Sequence, residues 1–145
     1  MTNVNVEMVK AKADDIRANV EKVHRYSSLP DDEFFADERN LYSVQHLLLL
    51  AIEASVSICL HLTSRLAGTA PASYSECFGA LLDAGIIDED LSQRLTSMVR
   101  FRNLLVHQYW EVDPRRVVLY ARSQTRDFTD FLEAVGRLLE GETLI

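Results

Sequence analysis

The stretch QHLLLLAIEASVSICLHL, residues 45–62, decides the fold of this chain. Apolar side chains fill Leu47 to Ile52 and then return at Val56, Ile58, Leu60 and Leu62. A helix this apolar must be covered by protein on more than one side. Because Gly68 is placed to end it, the pattern predicts a central helix from about Asp37 to Ala67.

The residues before this helix predict two further helical segments. Apolar residues three and four apart place one stripe on a first helix that ends near Tyr26: Val6, Val9, Ala13, Ile16, Val20 and Val23. The sequence Pro30-Asp31-Asp32 then has the form of a helix start. We expect one short helical turn there, carrying Phe34 and Phe35.

The residues after the central helix predict three more helices. Ser73 and Glu76 form a capping box for a helix that runs to about Ala84. The acids at Asp88 to Asp90 favour the start of the next helix, which we expect to finish near Trp110. Asp113-Pro114 is an N-cap followed by proline at the first helical position, and it predicts one last helix reaching Gly141.

These segments predict an all-α fold, an up-and-down bundle of four to five helices. No segment of any length alternates with the period of a strand. The 145 residues fit a single domain, residues 1–145. The longest uninterrupted apolar run is too short to span a bilayer, and the first twenty residues lack the pattern of a signal peptide. We therefore expect a cytoplasmic protein with no membrane contact.

The two cysteines, Cys59 and Cys77, lie among apolar residues without a CxxC spacing. This pattern favours reduced, buried thiols over a zinc site or a disulfide. No group of Asp, Glu and His has a metal-ligand spacing, so we expect neither a bound metal nor another cofactor.

The net charge of −7 argues against unspecific nucleic-acid binding by the whole surface. Residues 94–126, however, contain seven arginines and only two acids, Glu111 and Asp113. The net charge is therefore +5 in this segment and −12 in the rest of the chain. The basic charge is either a local surface for an anion or a set of ordinary helix residues that pair with acids elsewhere.

The basic region contains the sequence RNLLVHQY, residues 102–109. On a regular helix Arg102 and Tyr109 lie about 20° apart around the axis, whereas Arg102 and His107 are separated by about 140°. One helix therefore does not aim Arg102 and His107 at one phosphate, and a two-fold dimer that brings two copies together would. The alternative is a surface arginine, a helix-end histidine and a core tyrosine without chemistry.

The stretch MVRFRNLLVHQY, residues 98–109, resembles the signature of the HEPN superfamily, in its HepT-like branch. Three neighbouring segments carry the same resemblance: the helix from Gln45 to Leu62, Pro71 to Phe78, and Leu81 to Ile87. Together they span about residues 40 to 135. The resemblance implies the toxin of a toxin–antitoxin pair, a metal-independent endoribonuclease that acts as a homodimer.

The resemblance also implies roles for individual residues. RNA carries its own nucleophile, the 2′-hydroxyl, so cleavage needs a base, an acid and a cation for the charged intermediate. Imidazole suits proton transfer and guanidinium suits the phosphate, which assigns His107 and Arg102 as catalytic. Arg100 and Asn103 are candidates for substrate contacts. Tyr109 is the implied site of AMP attachment from ATP by a minimal nucleotidyltransferase antitoxin, which would silence the toxin.

One position departs from the HepT-like pattern. Ser57 stands where the family often has an acid, and it cannot supply that carboxylate. Glu53, one turn earlier, is a candidate to orient Arg102 in its place, or it is an ordinary polar interruption of a buried helix. Two non-catalytic alternatives remain for the chain as a whole: a helical module that binds nucleotide or RNA, and a scaffold that its nucleotidyltransferase modifies at Tyr109.

Overall fold

The computed structural model describes residues 4–68 and 70–143, with side-chain detail through residue 141. This part of the chain forms seven α-helices and no strand. They are α1 (Val6–Ser27), α2 (Asp31–Ala36), α3 (Glu38–Leu62), α4 (Tyr74–Asp83), α5 (Glu89–His107), α6 (Pro114–Ser123) and α7 (Arg126–Thr143). The all-α prediction is confirmed, and the count exceeds four to five because α2 is a separate helix and the last predicted helix is two.

The long helix α3 is the centre of the bundle, as its apolar density predicted. It packs along α1 and also contacts α2, α4, α5, α6 and α7. Leu48, Ile52 and Ile58 on α3 are completely buried. A π-helical turn, Thr63–Ala67, continues α3 and ends at Gly68, which has φ +64°. Glycine adopts this left-handed conformation without the steric cost that a side chain brings.

The helix starts follow the predicted caps. The Ser73 side chain accepts a hydrogen bond from the Glu76 amide, and Asp88 accepts one from the Leu91 amide. Asp113 accepts one from the Arg115 amide, with Pro114 as the first residue of α6. Local side-chain to backbone hydrogen bonds therefore fix where α4, α5 and α6 begin.

The prediction of a single last helix is wrong, because the helical conformation is interrupted between α6 and α7. Gln124 leaves the helical conformation with φ −121° and ψ 6°. Thr125 is buried at the break, and its hydroxyl lies 2.7 Å from Nε2 of His24 on α1. At this break Thr125 contacts His24, a residue 101 positions away along the chain. The apolar spacing does not reveal the break, because α6 and α7 both pack against the same core.

The cysteine prediction is also wrong. Cys59 on α3 and Cys77 on α4 are joined as a disulfide, with their Cα atoms 6.2 Å apart. That separation lies within the range disulfides require. No local pattern predicts the pairing, since the docking of α4 against α3, not the spacing of the two residues, brings them together.

The helix α3 with its π-helical turn is the one segment of the described chain that is long and apolar enough to cross a membrane. More than half of its most apolar window is buried inside the bundle. A central core helix meets the same criteria of length and composition, and the contacts of α3 with six other helices account for its apolar sequence.

Candidate active site

Arg102 lies on α5 and points toward α3, where other side chains hold it in place. Its Nε donates a hydrogen bond to Oε1 of Glu53 at 2.5 Å. Its guanidinium carbon lies 4.8 Å from the centre of the Tyr74 ring, a cation–π contact with α4. Its Nη1 donates to Oδ1 of Asn103 at 3.2 Å. We call Glu53, Tyr74, Arg102 and Asn103 the Arg102 cluster.

Glu53 uses both of its carboxylate oxygens in this cluster. Oε2 accepts a hydrogen bond from the Tyr74 hydroxyl at 3.3 Å while Oε1 holds Arg102. The Arg102 side chain is 18% exposed, and its Nη2 has no hydrogen-bond partner among the described residues. The guanidinium is thus fixed along one edge and keeps donors on the other for an anion.

The position of Glu53 accounts for the departure at Ser57. Glu53 and Ser57 are one turn apart on the same face of α3, and Glu53 reaches Arg102 from there. A carboxylate one turn earlier therefore lies against the arginine. Of the two alternatives for Glu53, orientation of Arg102 is the one that fits these contacts.

His107 is the last residue of α5 and is exposed. Because Arg102 and His107 both belong to this regular helix, the separation of about 140° between them applies. Arg102 faces α3, whereas the imidazole of His107 forms no hydrogen bond with any described residue. The structure does not bring these two side chains together within one chain.

Tyr109 is not on the helix, which corrects the expected alignment of Arg102 and Tyr109. The backbone leaves α5 at Gln108, with φ −136° and ψ 39°, and then forms the 3₁₀ turn Tyr109–Glu111. Tyr109 is 69% exposed, and its ring meets that of Trp110 edge to face, with centroids 5.2 Å apart. Tyr109 is therefore largely exposed to solvent.

The seven arginines of the basic region divide between the two explanations that the sequence left open. Three form ion pairs with acids from other parts of the chain: Arg94, Arg102 and Arg122. The other four are exposed and form no ion pair within the described residues: Arg100, Arg115, Arg116 and Arg126. The substrate candidate Arg100 is in the second group, whereas Asn103 is a neighbour of Arg102 in the cluster.

Arg94 belongs to a network that fixes α5 against α7. It pairs with Asp90, Asp127 and Asp130 at 2.9 to 3.0 Å, and the Tyr120 hydroxyl also donates to Asp127. Burial raises the pKa of the Asp127 carboxyl, and the hydrogen bond from Arg94 opposes that effect. The charge of Arg94 is therefore committed to the fold.

Sequence analysis missed Tyr74 and Trp110. Tyr74 lies within the segment Pro71 to Phe78 that carries the family resemblance, but the hydrogen bond that links it to Glu53 joins residues 21 apart, which no local pattern reveals. Trp110 directly follows the motif, and its exposure was the missing signal. The described residues contain no group of three or more His, Cys, Asp or Glu arranged to hold a metal.

Comparison with known proteins identifies relatives over most of the chain. Residues 16–135 match the family described as ribonuclease HepT-like. A tRNA nuclease HepT of Aphanizomenon flos-aquae is 23% identical over 119 residues, which cover 82% of this chain and 81% of the relative. An mRNA nuclease HepT of Shewanella oneidensis is 30% identical over 83 residues, 57% of this chain and 62% of the relative.

A solved structure matches most of the bundle. It is a tri-AMPylated HEPN toxin of Shewanella oneidensis in complex with an MNT antitoxin, and it superposes with a TM-score of 0.83 at 25% identity. The match covers 90% of this chain and 97% of the other.

Proposed function

This chain belongs to the HepT-like ribonuclease family, and on that premise we propose that it is a metal-independent endoribonuclease, the toxin of a toxin–antitoxin pair. The observation that carries the proposal is the Arg102 cluster: a guanidinium fixed by Glu53 and Tyr74, with donors left over for phosphate. We also propose that the protein acts in the cytoplasm, on tRNA or mRNA, the two substrate classes in the names of its relatives.

The proposed reaction uses the nucleophile that RNA supplies. His107 takes the proton from a 2′-hydroxyl, the 2′-oxygen attacks the adjacent phosphorus, and a second proton donor protonates the leaving 5′-oxygen. The charge that builds up on the phosphate oxygens is stabilised by Arg102, whose planar donors match them. The acid is either His107 of a second copy or the same His107, which returns the proton that it took as base.

We propose that two copies form this site across an uncovered face of α3. Beyond the first turn of that helix, four exposed residues lie within about 80° of arc, and we call them the α3 stripe: Tyr42, His46, Leu50 and Leu60. Three of them are large apolar or aromatic side chains between 37% and 58% exposed. Exposed apolar surface of this kind marks an interface. Glu53 lies inside the stripe, so a two-fold dimer across it puts both Arg102 clusters at the seam.

Tyr109 is proposed to be the control point. A minimal nucleotidyltransferase antitoxin binds ATP, the Tyr109 hydroxyl attacks the α-phosphorus, and pyrophosphate leaves while AMP stays on the tyrosine. The new phosphodiester carries negative charge next to the motif and would occupy the surface that RNA needs. The exposure of the Tyr109 side chain, 69%, supports access by such a partner.

The activity is tested with purified protein, RNA and EDTA. We expect cleavage without divalent metal, and a loss of about 100-fold or more in rate for Arg102→Ala and for His107→Ala. Arg25→Ala, at an exposed arginine of α1, is the matched control and should cleave normally. Equal cleavage by His107→Ala would show the assignment to be wrong.

Modification is tested separately by mass spectrometry after incubation with ATP and the cognate nucleotidyltransferase. AMP should appear on the peptide that contains Tyr109, and Tyr109→Phe should accept none while still cleaving RNA. RNA binding without cleavage, under all conditions tried, would favour the non-catalytic alternative. Modification of a protein that neither binds nor cleaves RNA would favour the scaffold.

A further inference from the structure

Trp110 is the only tryptophan of the chain, and it is 68% exposed. Its neighbour Tyr109 is equally open, and the two rings meet edge to face at 80°. Large aromatic side chains are seldom left in water without a reason, and adjacent ones mark a contact surface. The function proposed above uses His107 and Tyr109 but gives Trp110 no part.

The backbone holds Trp110 in a short, anchored turn. The Glu111 amide donates to the Gln108 carbonyl at 2.9 Å, and the Val112 amide donates to the Tyr109 carbonyl at 3.4 Å. Val112 then packs against the core and Asp113 caps α6. Because the turn is fixed at both ends, the indole presents its surface without a large loss of freedom on binding.

The charges around the turn favour a polyanion. Arg115 and Arg116 occupy the first turn of α6, are exposed and form no ion pair among the described residues. Residues 100–116 contain four arginines and two acids, Glu111 and Asp113, so the net charge of this segment is +2. A flat aromatic ring flanked by cations is how proteins bind single-stranded nucleic acid, with the bases stacked and the phosphates paired.

We propose that Trp110 stacks on a nucleobase of single-stranded RNA and so holds the strand beside His107. The inference rests on the function proposed above and adds to it the form of the substrate, which is unpaired RNA with a base turned out of its own stack. Trp110 is a binding residue here, three positions beyond His107 along the chain, and Arg115 and Arg116 pair with phosphates of the same strand.

The test uses the single tryptophan as the probe. Full-length His107→Ala protein, which should not cleave, is titrated with an unpaired RNA oligonucleotide while the emission of Trp110 is followed. We expect saturable quenching of the Trp110 emission. The affinity for RNA should fall as the salt concentration rises, because salt weakens the ion pairs between arginines and phosphates. Titration with AMP alone, at the same nucleotide concentration, is expected to leave the emission nearly unchanged.

Variants then separate stacking from folding. By anisotropy of labelled RNA, Trp110→Ala in the His107→Ala background should bind on the order of 10-fold more weakly, and Trp110→Phe should retain most of the affinity. Tyr26→Ala, an exposed aromatic of α1, is the matched control and should bind normally. Sedimentation of each variant measures its oligomeric state.

Several outcomes would overturn the inference. Unchanged Trp110 emission on RNA that binds by anisotropy means the indole is not in contact with the strand. A loss of affinity in Trp110→Ala that follows only from a loss of dimer assigns the residue to a protein interface, and full quenching by AMP assigns it to a mononucleotide. Cleavage with unaffected Trp110 emission would leave the proposed function intact, whereas no binding and no cleavage would remove both.

Discussion

Arg102 owes its orientation to two long-range contacts, one with Glu53 on α3 and one with Tyr74 on α4. A free arginine side chain samples many rotamers. The Glu53 carboxylate and the face of the Tyr74 ring together restrict Arg102 to fewer rotamers before substrate binds. Pre-organised cations stabilise a developing charge without reorganising at the moment of reaction. At the scale of single residues, the site therefore depends on Glu53 as much as on the motif.

The first prediction concerns Glu53 as a positioning residue. Glu53→Gln keeps the shape but weakens the hold on Arg102, and we expect kcat for RNA cleavage to fall roughly 10-fold or more with little change in KM. Steady-state kinetics measure the split, and thermal unfolding measures the fold. Glu133→Gln, an exposed acid of α7, should change neither. A raised KM with normal kcat would assign Glu53 to substrate binding instead.

The second prediction concerns His61 and pH. The Asn5 amide donates to Nε2 of His61 at 2.8 Å, which requires a neutral ring, and burial, followed by the charge of Arg65, lowers the pKa of His61 below 6.5. A lowered folded-state pKa gives stability that is complete above about pH 6.5 and is lost as pH falls through the folded value.

This pH dependence is measured by urea unfolding between pH 8 and pH 5. The native protein should lose more free energy of unfolding over that interval than His61→Gln, which has no titrating ring there. Lys22→Gln, at an exposed position of α1, should behave as the native protein does. Parallel curves for the native protein and His61→Gln would contradict the linkage.

At the scale of elements, α3 has two opposed surfaces. One is buried by the other helices, and the α3 stripe is open although it carries Tyr42, Leu50 and Leu60. Helices of a closed monomeric bundle usually keep one polar face. The stripe thus makes α3 the element through which a second copy would complete the site.

The third prediction tests that surface. Leu50→Glu places a charge in the α3 stripe, and we expect the dimer to dissociate at least 10-fold more readily, with loss of RNA cleavage and little change in Tm, because Leu50 is 41% exposed in the monomer. Light scattering and thermal unfolding report the two effects. Leu119→Glu, an exposed apolar residue of α6, is the control and should remain dimeric and active.

At the scale of the whole molecule, the fold separates Arg102 and His107, the two proposed catalytic side chains, which the sequence places five residues apart. Arg102 faces α3 and His107 emerges at the end of α5. The distance along the chain is short, but helical geometry directs the two groups apart. A complete site then needs the symmetry of an assembly, since a two-fold axis repeats each group opposite its mate.

The fourth prediction is complementation between inactive subunits. Arg102→Ala and His107→Ala proteins, each inactive, should regain about a quarter of native activity after they are mixed and allowed to exchange, because half of the dimers then combine one Arg102 and one His107 from different chains, and that one His107 acts first as base and then as acid. RNA cleavage after exchange is the measurement, and an unmixed pair is the control. No recovery, despite proven exchange, would mean either that each chain holds a complete site of its own or that a site needs His107 from both copies.

The sequence by itself determined the helical class, most helix starts and the place of the motif. These features depend on local rules: apolar spacing, a side-chain oxygen before a first turn, and proline after Asp113. Such interactions join residues within a few positions of each other, so a short stretch of sequence contains both partners. The roles of His107 and Tyr109 came from family resemblance and stay proposals.

Tertiary structure decided what depends on contacts between distant residues. Thr125 meets His24 and breaks the last helix, Cys59 meets Cys77, and Glu53 meets Arg102 across 49 positions. The periodic spacing of apolar residues does not reveal such a break, because α6 and α7, on either side of Thr125, pack against the same core. The end of α5 at His107, followed by a turn that leaves Tyr109 and Trp110 exposed, was likewise shown only by the structure.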